Sequence, residues 1–242
     1  MSRYSAAAAH FGISILVGSI LLALFWFVWY PAPMLLAIGG HEIFLLILGI
    51  DVVLGPLLTL IVFRSGKISL KFDLATIAVM QVAAMSYGVS VLLEGRPAYV
   101  VALGNKFQLV QAVEVIDANL KKANASLPIF GPTWVGTRMP TEQSEIDQVD
   151  MITQAGGGAG HLPQLHIPYR SISPEILKNA KSIAALKVVN SSRVVEIDAW
   201  LKTRGYSDTT AVYQPLTVRA NEFAVILDAK DAKVVGISPF RP

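Results

Sequence analysis

Asp51 is the residue whose setting constrains this chain most. It stands inside the apolar run His41 to Phe63 (HEIFLLILGIDVVLGPLLTLIVF), four residues ahead of the pair Gly55-Pro56. A run of that length spans a bilayer core of about 30 Å at roughly 1.5 Å per residue. Asp51 then falls near the hydrocarbon midplane, where an ionised carboxylate costs at least ~2.5 kcal/mol. Its side chain must therefore face protein or carry a proton. Pro56 has no N–H, and its ring crowds the carbonyl of Val52, so an acceptor is freed one turn beyond Asp51. Lipid cannot satisfy that acceptor; another helix can. Gln81 sits about midway along a third apolar run, at a depth similar to Asp51. Two arrangements fit these residues. Asp51 and Gln81 bond to each other and fix a three-helix bundle, or Asp51, Val52, Gly55, Pro56 and Gln81 form a seam that grips a helix of another protein. Proton or ion relay is a third use of the same acid.

The remaining polar residues offer less chemistry. His161 and His166 are five apart, neither helix-face nor strand-face spacing, with no acid close in sequence, so they read as loop histidines and not as a metal pair. Glu196 and Asp198 are two apart on an expected helix and point in different directions. Ser191-Ser192 lacks the glycines of a nucleophile elbow. The run Gly156 to Gly160 has neither the Lys-Ser/Thr nor the directly preceding strand of a phosphate loop. Glu42, beside His41, serves best as a cap on the second apolar helix, meeting the positive end of its dipole. Cysteine is absent, which excludes disulfides and thiol catalysis. No catalytic residues, metal site or cofactor are expected, and an enzyme is not the default reading. A net charge of +3, scattered along 242 residues, gives no footprint for nucleic acid.

The elements that must position Asp51 and Gln81 are three membrane helices, at about residues 11–29, 41–63 and 72–93. The first ends in an aromatic cluster, Trp26, Trp29 and Tyr30, of the kind that settles at headgroup level. Its apolar run is too long for a signal peptide, and bulky rings occupy the expected cleavage site, so it is expected to be retained. Arg3 precedes the first helix, Arg64, Lys67 and Lys71 fill the loop between the second and third, and the 30–40 link has no Lys or Arg. By the positive-inside rule the N-terminus and the 64–71 loop are cytoplasmic, and everything after Glu94 lies outside. Ser14 with Gly18, and Ala84 with Gly88, give small-residue spacing for close helix contact.

From residue 95 to 242 the texture is that of an α+β domain with a mainly antiparallel sheet. Tyr99–Leu103, the turn Gly104-Asn105 and Lys106–Val110 predict a hairpin. Helices are expected over Asp117–Ala123, from a Thr141 cap to Ala155, from Ser173-Pro174 to about Leu186, and over Arg193–Arg204. Strands are expected at Thr133–Met139, Thr210–Val218, Glu222–Leu227 and Lys233–Ile237, with Pro163 to Tyr169 an irregular loop.

Taken together, several of these segments resemble the type IV pilin accessory proteins of the TfpX/TfpZ kind. They are Asp51-Val-Val-Leu-Gly-Pro-Leu-Leu-Thr59, Phe63-Arg64-Ser-Gly-Lys67, Arg96-Pro-Ala-Tyr99-Val-Val, Phe130-Gly-Pro132, Leu162-Pro163 ahead of Pro168-Tyr169, and Gly236-Ile237. The likeness covers most of the chain. It implies three helices in the bacterial inner membrane, a periplasmic domain, and assistance to a major type IV pilin through the pilin's transmembrane helix and its globular head. It brings no catalytic residues. The competing account is a membrane-anchored periplasmic ligand-binding or sensor protein without catalytic activity. Its cytoplasmic parts would be too short for an output domain.

Overall fold

A computed structural model describes residues 2–219 and 221–242, and the chain divides into two compact units, Met1–Gly95 and Arg96–Pro242. Among its described residues the first unit holds three helices long and apolar enough to cross a membrane: Arg3–Trp29, Gly40–Val62 and Leu70–Glu94. The first helix begins well before the expected residue 11. Ser2 accepts a bond from the Ser5 amide at 3.1 Å, and the alanine run 6–9 carries the helix forward from that cap.

Two of the three helices contain wide turns. The first closes as a π-helix over Phe25–Trp29, and the second opens into one over Gly49–Leu54 before Pro56. There the Gly55 amide reaches the Ile50 carbonyl, a five-residue bond that widens the helix where proline removes a donor. The 30–40 link is no bare loop. It carries a short helix, Met34–Ala37, and Met34, Leu35 and Ile38 are buried. Tyr30 is buried too, and its hydroxyl donates to the Leu92 carbonyl at 2.5 Å.

The second unit is built on a sheet of eight strands among the described residues, in the order β4-β3-β1-β2-β6-β7-β8, with β5 paired to β6. The strands are β1 (Pro97–Ala102), β2 (Phe107–Gln111), β3 (Thr133–Thr137), β4 (His166–Pro168), β5 (Lys181–Ser182), β6 (Ala211–Val218), β7 (Asn221–Asp228) and β8 (Val234–Ser238). Five of the seven pairings are antiparallel; β1 with β3 and β2 with β6 are parallel. Every residue of β1 is buried, as befits an apolar strand covered on both faces. The helices Ile183–Val189 and Val194–Lys202 cover β6 and β7 through Ile183, Leu186, Ile197 and Leu201 against Tyr213, Ala224 and Ile226.

Three expectations need correction. The helix from Ser173 to Leu186 is two helices, Ser173–Lys178 and Ile183–Val189, separated by β5. Buried Gln214 explains the break: its amide donates to the carbonyls of Ile176 and Gly104, both at 2.8 Å, and Ser182 then caps the second helix through the Ala185 amide. The helix expected from Thr141 starts at Gln143, because Glu145 folds back to accept from the Thr141 amide and so fixes the residues ahead of it. The segment expected as loop before Tyr169 contains β4, paired with β3 from Val135 to Thr137.

Candidate functional site

The polar centre of the first unit gathers the sequence-predicted residues. Asp51 lies in the wide turn with only 5% of its surface exposed. The Gln81 amide stands 3.4 Å from both its backbone carbonyl and its Oδ1. Gly55 lies directly beneath Gln81, so any side chain there would strike the amide. Pro56 is buried beside it, and Val52 is half-buried at the rim. Asp51, Gly55, Pro56 and Gln81 are thus brought together where the second and third long helices meet. The next residues outward, Val53, Leu54 and Leu57, are exposed.

A second polar pair escaped the sequence. His10 Nδ1 lies 2.7 Å from Thr59 Oγ1, joining the first helix to the second. Its only advance signal was a histidine just ahead of an apolar run. The small residues are used in the same packing. A methyl added at Gly18 would meet Leu48 at 2.6 Å, and one at Gly88 would meet Ile47 at 2.5 Å. Glu42 lies in the first turn of the second helix, where its charge faces the dipole's positive end. The N-cap itself is Gly39, in the left-handed conformation, and no side chain caps that end.

The second unit offers a cleft of about 890 Å³. Its floor is aromatic. Trp134 on β3 packs edge-on to Phe107 at 5.6 Å and to Tyr169 at 6.4 Å. Tyr169 donates to the Ala232 carbonyl at 2.7 Å, tying the segment after β4 to the β7–β8 turn. Burial, with Asp231 nearby, raises its hydroxyl above the ordinary range. That turn is set by the Asp228 and Asp231 carboxylates, which accept from the amides of Lys230 and Lys233. Arg170, Lys230 and Lys233 line the cleft with Asp231, and none of the three cations makes an ion pair among the described residues. An apolar ring floor under a net excess of cations suits an anionic group carried beside an apolar one.

His161 and His166 come into one neighbourhood, each with its own partners. His161 pairs with Glu114 at 3.8 Å, whereas His166 bonds the Gly160 carbonyl and packs edge-on to Tyr99. Among the described residues no group of three His, Cys, Asp or Glu could hold a metal ion. Glu196 bonds Arg193, whereas Asp198 shares Lys187 with Asp208.

Two fimbrial assembly proteins of Dichelobacter nodosus, of serogroups I and E1, are each 30% identical to this chain over 228 residues, covering 90% of it and 88% of their own length. A third, of serogroups C1 and C2, is 35% identical over 117 residues, 47% of this chain and 88% of that protein. No protein-family model matches the chain, and no solved structure matches it.

Proposed function

The chain belongs to the family of the fimbrial assembly proteins, and on that premise we propose that it acts in type IV pilus biogenesis as a chaperone-like factor for a major pilin. In this reading it crosses the bacterial inner membrane three times, with its N-terminus cytoplasmic and its second unit periplasmic. The cation distribution supports that orientation: Arg3, Arg64, Lys67 and Lys71 fall on one side, and the 30–40 link carries none.

The observation that carries the proposal is the contrast within the first unit. Its acid and amide meet inside, while Leu45, Leu46, Val53, Leu54, Leu57, Leu58 and Ile61 of the middle helix stay exposed. Such a surface is complementary to lipid and to the apolar helix of an unassembled pilin. The seam residues Asp51, Gly55, Pro56 and Gln81 hold the shape of the bundle, and Val52 with the exposed leucines and valines beside it meets the pilin helix. The second unit contacts the pilin head through the cleft at Trp134 and Tyr169.

Purification in mild detergent tests this. The pilin should come through with the full-length protein, and a reporter fused after Pro242 should lie in the periplasm. A cytoplasmic reporter, or a preparation free of pilin from pilin-expressing cells, rejects the proposal. The cleft also favours a second reading, a membrane-anchored periplasmic ligand-binding protein. A small anionic molecule bound outside, with no pilin recovered, would select that alternative.

A further inference from the structure

Three large apolar side chains of the second unit are left open where an exposed apolar group is costly. Val113 is 64% exposed, Ile129 59% and Phe130 80%. All three belong to segments fastened to Arg96. The Arg96 carbonyl accepts from the Ala112 amide at 2.9 Å, and its Nε donates to the Pro128 carbonyl at 3.1 Å. Tyr99 adds a bond to the Ser126 carbonyl at 3.3 Å. Beneath these segments Ala98, Val110, Ala112 and Val115 form a packed cluster against which Leu127 rests, so both are held on a firm base. Glu114, the acid next to Val113, is already engaged: it accepts from the Gln111 amide at 2.7 Å and pairs with His161.

Arg96 is also the second residue beyond Glu94, the last residue of the third long helix. Two residues of chain reach roughly 7 Å at most, and the headgroup layer on each side of a bilayer core is about as deep. Arg96 is therefore held close to the surface of any membrane that this helix crosses, and the segments fastened to it start from there.

We propose that Val113, Ile129 and Phe130 form a lip that enters the lipid at headgroup depth and seats the base of the second unit on the bilayer. This rests on the three-crossing reading above. The occupant is phospholipid, because the tether keeps the lip within its reach whether or not a protein partner is bound. Exposed apolar side chains gain from partial insertion at that depth.

The chain has no cysteine, so single labels can be placed without removing any. The full-length variants Val113→Cys, Phe130→Cys, Val195→Cys and Val79→Cys would carry an environment-sensitive fluorophore in phosphatidylcholine vesicles with brominated acyl chains. Val195 is exposed on the helix Val194–Lys202, and Val79 is exposed on the third long helix. Brominated lipid should quench the labels at 113 and 130 several-fold more than the label at 195, and nearly as strongly as that at 79. Quenching at 113 and 130 no greater than at 195 overturns the lip while leaving the three crossings standing. A label at 79 that lipid cannot quench defeats the three crossings, and the lip falls with them.

Discussion

His10 and Thr59, 49 residues apart in the chain, meet at 2.7 Å and join the first long helix to the second. Between helices in lipid such bonds contribute about 0.6 kcal/mol on average and rarely above about 1.7. A double-mutant cycle of His10→Ala and Thr59→Val should give a coupling energy in that range when unfolding is followed in detergent titrations. Additive losses would mean that the two side chains act independently.

Gly88 lies against Ile47, which is itself buried. Gly88→Leu should overpack that contact and cost about 1–3 kcal/mol, seen as a lower midpoint of thermal unfolding in detergent. Gly12 has nothing near its missing side chain. Gly12→Leu should leave the midpoint almost unchanged.

Asp51→Leu removes the acceptor opposite Gln81, whereas Asp51→Asn keeps an oxygen in its place. Both should reach the membrane in normal amounts. Recovery of pilin should fall for the leucine variant and be largely kept for the asparagine variant. Equal recovery with wild type for Asp51→Leu would mean that the client surface does not depend on the pair.

The cleft makes its own prediction. Lys230 and Lys233 are exposed, so Lys230→Glu with Lys233→Glu should alter stability by less than about 0.5 kcal/mol. Pilin recovery should nevertheless drop, and the drop should lessen as salt is raised in the wild type, whose attraction is screened.

Acidity should act through two histidines of opposite sign. The Glu114 carboxylate, outweighing burial, holds His161 above its ordinary value of 6.5, so its contribution is full below that value and fades as pH rises through the raised one. Burial holds His166 below 6.5, so its contribution is full above that value and fades as pH falls. Burial opposes the charge of Glu114, yet the bonds from His161 and the Gln111 amide prevail and keep its carboxyl below the ordinary range. Glu114→Gln removes the carboxylate that favours a charged His161, while its amide oxygen can still accept from the Gln111 amide. The gap in melting temperature between wild type and variant should widen from pH 8 to pH 5.5. A constant gap, or one that closes, contradicts the assignment.

The three long helices were legible because apolar runs of that length with so few charges have few other uses. The meeting of Asp51 with Gln81 was legible too, since two polar groups at one depth in an apolar run need each other. His10 was not, because its partner lies 49 residues away and a lone polar residue ahead of an apolar run reads as a flank. The wide turn before Pro56 was hidden as well. The sequence announces a lost donor, but not that the helix would expand to accommodate it. In the second unit, local patterning placed most strands and the Gly104-Asn105 turn. It missed the break at β5 because Ser173 to Leu186 favours helix throughout, and the competing donor, Gln214, comes from a distant strand. The cleft shared that fate, for Trp134, Tyr169 and Lys230 converge only once the sheet is formed.

The parallel pairing of β2 with β6 joins Phe107 to Leu216, and Gln214 reaches the carbonyl of Gly104 across 110 positions. The first hairpin therefore has an open flank until nearly the whole polypeptide has been made. Synthesis has to pass β6 before the sheet can close, and a product truncated ahead of β6 would expose a sticky margin suited to proteolysis or mispairing.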